Sequence, residues 1–186
     1  GGFVRKGETL EECAMREITE ETGITPDALM PDSVFSNPGR DPRGWVISTA
    51  FVSVISEENI NAHGGDDAAE AKWFDVSFTV NDKDVVLVLR SEESLITAKL
   101  RIISVQFGYP HFEIIDSGGL AFDHAEIIAC ALYRLRCIIE DFDIIFDLLP
   151  EKFTLSSLQR VQEAILDTPL LSANFRRKAS PYIEET

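Results

Sequence analysis

The feature that most constrains this chain is a short, well-bounded helix near its beginning that carries acids on its apolar face. Thr9 and Glu12 form a capping-box pattern that begins a helix, and Gly23 favours the left-handed conformation that ends one. At about 100° per residue, Glu17 and Glu21 fall inside the apolar stripe and not opposite it. The apolar members of the stripe are Leu10, Cys13, Ala14 and Ile18.

These acids, with Glu20 beside them, need a compensating partner. Carboxylates that cluster against a core repel one another and lose hydration, so they either take up protons or share a cation. Mg²⁺ prefers hard oxygen ligands and usually completes its shell with water and substrate phosphates. The pattern therefore indicates a metal site for phosphate chemistry. The alternative is a surface helix whose acids pair with Arg16 or Lys6.

The helix and the residues before it resemble the signature of the Nudix hydrolase family, G-x5-E-x7-R-E-U-x-E-E-x-G-U, where U is aliphatic. At typical residue usage, its seven fixed identities would coincide in one register about once in 10⁸ trials. The resemblance implies an α/β/α sandwich with a mixed sheet, and hydrolysis of a nucleoside diphosphate linked to another group by water attack on phosphorus. The matching residues are Gly2, Glu8, Arg16, Glu17, Ile18, Glu20, Glu21, Gly23 and Ile24.

The resemblance also implies a role for each acid of the signature. Glu17, Glu20 and Glu21 correspond to the divalent-metal site, for Mg²⁺ or Mn²⁺, and Glu20 also to a catalytic role in reaching a second metal or orienting a water. Glu8 and Arg16 correspond to a pair that braces the loop–helix–loop. Metals that bridge a diphosphate neutralise charge in the transition state and acidify a bound water.

A general base outside the signature is expected from the family. The sequence offers Asp66, Asp67 and Glu70 on a Gly-Gly-Asp-Asp loop before a strand expected at residues 72–74, and Glu70 ranks first. The alternative for this segment is an ordinary solvated acidic turn.

A loop at residues 37–44 carries the candidate substrate-binding residues Arg40 and Arg43. Its density of Pro and Gly predicts a rigid turn, on which arginines can hold phosphate or ribose oxygens. The loop resembles the Arg-Asp-Pro-Arg-Gly stretch of Nudix proteins that act on ADP-ribose. In the alternative interpretation, Asp41 pairs with one of these arginines in a surface turn. Trp45, at the start of a strand predicted over residues 45–55, either stacks on a base or, preferably, fills the core.

Composition limits the classes of partner. The net charge is −15, nearly all of it before residue 147, which argues against nucleic acid wrapping around the first part of the chain. No apolar run approaches the roughly 18 residues of a membrane span, and no secretory signal pattern opens the sequence. Three widely spaced cysteines fit buried, reduced thiols. We therefore predict a soluble cytoplasmic protein without membrane association.

The predicted fold class is α+β, in two domains. A Nudix domain is expected over residues 1–140, with a β-rich insertion at about 80–118 and with its N-terminal strands missing from the sequence. Its last helix is predicted over residues 124–140, with Asp123 as the cap. The apolar stripe of this helix is predicted to consist of Ile127, Ile128, Ala131, Leu135 and Ile138. A small helical winged-helix-like domain is expected over residues 141–186, with its wing missing.

The predicted second domain has the outline of a helix-turn-helix. A capped amphipathic helix begins at Thr154 or Ser156, and a turn follows at residues 167–169. A short helix then carries Arg176, Arg177 and Lys178. The segment resembles the C-terminal winged-helix domain of Nudix-related transcriptional regulators, which implies contacts to operator DNA and a homodimer. Alternatively, these three bases are a solvated cluster or dock on the acidic first domain.

Two functions follow from these expectations. The first is Mg²⁺-dependent hydrolysis of a nucleoside-diphosphate sugar, with ADP-ribose as the preferred substrate, because all three metal-site glutamates are present. The alternative is an ADP-ribose-responsive, DNA-binding transcriptional regulator that senses its ligand through the Nudix domain. A third and weaker interpretation gives the winged helix a role in protein association only.

Overall fold

The computed structural model describes residues 1–55, 71–139, 141 and 153–183. Glu70, Asp66 and Asp67 therefore lie outside the described residues. In chain order the elements are α1 (Leu10–Thr22), β1 (Met30–Phe35), β2 (Ser48–Val52), β3 (Asp75–Asn81), β4 (Asp84–Arg90), β5 (Leu95–Gln106), β6 (Tyr109–Asp116), α2 (His124–Ile138), α3 (Leu155–Leu166), α4 (Ser172–Ala179) and a 3₁₀ turn (Ser180–Tyr182). The α+β class is confirmed.

The strands of the described residues form two sheets, both antiparallel. β1 pairs with β2, and the other four pair in the order β3-β4-β5-β6. Short hairpins explain this topology, since antiparallel neighbours need only tight turns between them. The β5–β6 turn consists of Phe107 and Gly108 with φ values of 54° and 80°, as a type I′ hairpin requires. A mixed sheet was expected, but no parallel pair occurs within these ranges.

The main core lies between the four-stranded sheet and α2. Alternate residues of β4 and β5 point inward because side chains alternate across a strand, and Leu87, Ala98 and Leu100 are at most 1% exposed. Ala125 and Ala129 of α2 are fully buried against them, and these small side chains allow the helix to approach the sheet closely. The strands predicted as a β-rich insertion thus supply most of this core.

Several sequence-based expectations in this region were wrong. The predicted stripe of α2 is only partly correct: Leu135 is buried and Ile127 and Ile128 pack against the core while partly exposed, but the most buried positions are Ala125, Ala129 and Cys130. Residues 72–74 form no strand, β2 begins three residues after Trp45, and Trp45 is 83% exposed instead of filling the core. Cys137 is exposed as well. The hydrophobic pattern of the sequence predicted apolar side chains but not which of them the sheet covers, so it did not show which positions are buried.

The tail helices pack on the end of α2. Of the two candidate caps, Thr154 caps α3, through a capping box with Ser157. Leu158, Phe175 and Ala179 form a second core. Ile139, one residue beyond α2 and 1% exposed, belongs to that core. The Gln162 amide nitrogen donates to the Ile139 carbonyl oxygen at 2.8 Å. The end of α2 is therefore shared between the sheet domain and the tail.

None of the helices in the described part of the chain is long and apolar enough to span a membrane.

Candidate functional site

The first part of the candidate site is α1, whose bounds and caps match the sequence prediction. Its predicted apolar stripe is only partly buried, since Cys13 is buried but Leu10 is 48% exposed. Thr9 and Glu12 make both hydrogen bonds of the capping box, and Gly23 ends the helix in the left-handed conformation, with φ 72°. Glu17, Glu20 and Glu21 therefore lie within about one turn of a regular helix. Their exposed side-chain fractions are 18%, 50% and 46%.

Arg16 is the cation at the centre of this acidic face. Its Nε and Nη2 atoms donate to the two carboxylate oxygens of Glu8 at 3.1 and 2.8 Å, and the guanidinium also bonds Glu17 and Glu20. These hydrogen bonds raise the pKa of Arg16. The Arg16 guanidinium and, to a smaller extent, the backbone N–H of Arg5 lower the pKa of Glu8 to about 2. Arg16 thus joins the proposed brace to the proposed metal site.

Gly2 approaches the same acids closely. A Cβ atom on Gly2 would collide with the Glu17 carboxylate, so the position has no room for another residue unless that side chain moves. The loop before α1 therefore covers one side of its acidic face.

The carboxylate set fits a hard divalent cation in its chemistry, since all of its donors are anionic oxygens on one helix. As placed, the carboxylates of Glu17 and Glu20 turn to Arg16, and no three His, Cys, Asp or Glu side chains converge for a metal within the described ranges. A cation bound between Glu17 and Glu20 would have to displace Arg16 from these two residues and leave it on Glu8. The roles of Glu8, Arg16, Glu17, Glu20 and Glu21 remain predictions.

A second candidate region is the loop at residues 37–48, where the two arginines have different environments. Arg40 is buried, and its side chain is 7% exposed. Its Nε and Nη2 atoms donate to the two carboxylate oxygens of Asp123 at 2.7 and 2.9 Å, and Nη1 donates to Ser48 Oγ at 2.7 Å. Arg40 thus ties the loop to the start of α2 and presents little surface to a ligand.

Arg43 is 66% exposed and pairs with Asp41, whose side chain is 6% exposed. The guanidinium and the backbone N–H of Arg43 lower the pKa of Asp41 to about 2. This pairing is the one foreseen in the alternative interpretation of the loop. The substrate-binding roles of Arg40 and Arg43 remain predictions.

Asp123 differs from its predicted role. It occupies the N-cap position of α2, but its side chain makes no capping hydrogen bond and binds Arg40 instead. A bidentate, charge-assisted pair is stronger than a single bond to a helix N–H, which explains the choice. Sequence reasoning missed this brace because its two partners lie 83 positions apart.

The predicted DNA-contacting residues Arg176, Arg177 and Lys178 are exposed on α4. Phe175 and Ala179 on the opposite side of the helix are buried in the tail core, which directs the basic side chains outward.

Comparisons with known proteins agree with this two-part arrangement. A family model described as the NUDIX domain matches residues 1–93, and one described as the NrtR DNA-binding winged helix domain matches residues 145–186. An ADP-ribose pyrophosphatase of Methanocaldococcus jannaschii is 49% identical over 77 residues, which are 41% of this chain and 44% of that protein.

A relative of a different class spans the whole chain. The ADPR responsive transcriptional repressor NtrR of Acinetobacter baylyi is 27% identical over 190 residues, covering 100% of this chain and 61% of that protein. The chain thus spans less than two thirds of the length of either curated relative. The crystal structure of Shewanella oneidensis NrtR has a similar fold, with a TM-score of 0.56 at 22% identity over 97% of this chain and 67% of that one. The crystal structure of the same protein in complex with a 27mer DNA matches with a TM-score of 0.57.

Proposed function

The chain belongs to the NUDIX family, and we propose that it hydrolyses the diphosphate of a nucleoside-diphosphate sugar, ADP-ribose in preference, with a divalent metal. Nudix hydrolases generally use ions such as Mg²⁺. The observation that carries the proposal is the acidic face of α1, where Glu17, Glu20 and Glu21 lie within about one turn. The choice of ADP-ribose is supported by the pyrophosphatase relative and by the sequence resemblance of the loop at residues 40–44, although its two arginines are paired with Asp123 and Asp41.

In this proposal the charged residues of the signature hold the metal, orient the water or brace the loop. Glu17, Glu20 and Glu21 hold Mg²⁺ or Mn²⁺, which supplies neutralisation of the diphosphate charge and acidification of a water. Glu20, the most exposed of the three, also orients the attacking water. Glu8, in the loop before α1, accepts two hydrogen bonds from Arg16 of the helix, and this pair holds the loop against the helix. Glu70 remains the proposed base.

The test compares two glutamine variants of the same helix. Glu21→Gln removes a charge from the acidic face, whereas Glu11→Gln changes an exposed residue of the first turn. We expect wild-type protein with Mg²⁺ to release AMP and ribose 5-phosphate from ADP-ribose and to stop when EDTA is added. Glu21→Gln should lower kcat/KM by about 100-fold or more, as expected for several kcal/mol of transition-state stabilisation, and Glu11→Gln should not. Absence of turnover by the wild type across a panel of nucleoside-diphosphate sugars would refute the proposal.

A second function is favoured by the tail. The match to a DNA-binding winged helix and the outward-facing Arg176, Arg177 and Lys178 support an ADP-ribose-responsive regulator, acting as a homodimer on operator DNA. One molecule can have both functions, since the metal site and the tail occupy different parts of the chain.

The regulator is tested by salt-dependent binding to DNA from upstream of its own gene. Arg176→Ala should weaken binding and reduce the salt slope by about 1, because one phosphate contact is lost, and ADP-ribose should release the DNA. Arg90→Ala, an exposed arginine on β4, is the matched control. If both variants bind like the wild type, the tail does not use this helix on DNA.

A further inference from the structure

An exposed aromatic ring lies immediately before the buried brace of the loop. Phe122 is 45% exposed and has a φ of 49°, in the left-handed region that side-chain-bearing residues rarely adopt. The His124 N–H donates to the Ala121 carbonyl oxygen at 3.0 Å, which closes a turn around it. Asp123 is held by Arg40 at the same time. The backbone on both sides is therefore fixed, and the ring stays at the surface.

Two further groups line this ring. The guanidinium carbon of Arg43 lies over its face, 5.3 Å from the ring centroid. The His124 ring meets it edge-on, with centroids 5.9 Å apart. Arg43 is itself held by Asp41, so a buried carboxylate fixes each partner: Asp41 fixes Arg43, and Asp123 fixes the turn that carries Phe122. The result is a rigid, partly exposed pair of flat groups.

The charge state of this pair decides what it can bind. Arg43 gives three side-chain contacts to the two oxygens of Asp41, at 2.7 to 3.2 Å, so the pair carries no net charge while Asp41 raises the pKa of Arg43. A diphosphate would compete poorly for such a guanidinium. A flat π-system loses nothing by the pairing, because guanidinium and phenyl planes attract it by stacking and dispersion.

We propose that Phe122 and Arg43 form the nucleobase-binding surface of the site and stack on the purine ring of a nucleoside diphosphate. The inference rests on the proposed function. In it, Arg43 contacts the nucleobase of the ligand and not its phosphates. A purine is preferred to a pyrimidine because its larger ring system covers more of the two planes. Trp45, two residues beyond Arg43 and 83% exposed, lies in the same loop.

The kinetic test replaces Phe122 by leucine and by tyrosine. Stacking on an aromatic side chain contributes a binding factor of about 5- to 100-fold per base, so Phe122→Leu should raise KM for ADP-ribose by about that factor with kcat unchanged. Phe122→Tyr should retain the wild-type KM. Phe107→Leu is the matched control, since Phe107 is also exposed, at 98%, with a φ of 54°. Equal KM values in Phe122→Leu and the wild type would overturn the inference.

Calorimetric titration separates this inference from the proposed function, because it needs no turnover. AMP should bind more weakly to Phe122→Leu than to Phe107→Leu, while ribose 5-phosphate should bind both equally. This result supports the stacking surface even if ADP-ribose is not hydrolysed. Unchanged AMP affinity in Phe122→Leu, or no AMP binding by the wild type, contradicts the inference whatever the hydrolytic activity.

Discussion

The buried ion pair between Arg40 and Asp123 gives the sharpest test of how the candidate site is held together. Replacing Arg40 by methionine keeps an apolar stem of similar length and removes the guanidinium. Three hydrogen bonds of 2.7 to 2.9 Å are then lost, two of them to Asp123 and one to Ser48. The Asp123 carboxylate, 11% exposed, is left without its compensating charge.

The expected cost follows from that uncompensated charge. Removing one partner of a buried pair destabilises a protein by about 3–5 kcal/mol. We expect the lower end, about 3 kcal/mol, because water reaches part of Asp123 and the methionine stem keeps its packing. At a urea m-value near 2 kcal/mol/M, the unfolding midpoint should fall by about 1.5 M. Adding Asp123→Asn should recover about 1 kcal/mol or more, since the buried charge is then gone.

The assay is urea unfolding followed by circular dichroism for the wild type, both single variants and the double variant. Arg101→Met is the matched control, because Arg101 pairs with Asp84 on the surface, with side chains 51% and 68% exposed. Such exposed pairs contribute about 0–1 kcal/mol. The reasoning is refuted if Arg40→Met and Arg101→Met cost the same, or if the losses in the Arg40–Asp123 cycle simply add.

Three further predictions address α1 and the core. The pKa of Glu8 is lowered from 4.5 to about 2, so its pairing with Arg16 stabilises the fold above pH 4.5 and this stabilisation is lost as the pH falls towards 2. The difference in melting temperature between the wild type and Glu8→Gln should therefore shrink between pH 4.5 and pH 2. A difference that stays constant over this range would contradict the prediction. Gly2→Ala should displace the Glu17 carboxylate and lower kcat/KM for ADP-ribose, whereas Gly1→Ala, with open space around its Cβ, should not. Leu87→Ala, at a fully buried site, should cost about 2–5 kcal/mol in urea unfolding, and a loss below 1 kcal/mol would place Leu87 outside the core.

Local elements were predictable because their causes are local. The capping box of Thr9 and Glu12 and the left-handed Gly23 fix α1 within a few residues of sequence, and the same holds for Thr154 at the start of α3. The acidic face of α1 follows directly from helical periodicity. These interactions span at most four positions, so no knowledge of the fold is needed.

Predictions that depended on the surroundings of a residue were less successful. Trp45 was expected inside and lies outside, because the strand begins only at Ser48. Asp123 was expected to cap α2, yet it binds an arginine 83 positions earlier. The type of a residue determines which interactions its side chain can make. The residues around it in the folded structure determine which of these interactions form.

By itself, the sequence determined the acidic helix, its boundaries and the family whose signature it carries, because these depend on spacing along one continuous segment. Only the tertiary structure decided how the two arginines of the loop are used. Packing buries Arg40 against Asp123 and leaves Arg43 exposed, paired with Asp41 and lying over the Phe122 ring. It also holds the backbone of Phe122 at a positive φ. These arrangements depend on contacts between segments that are distant in the sequence. Such contacts form, and stabilise the structure, only when the chain folds.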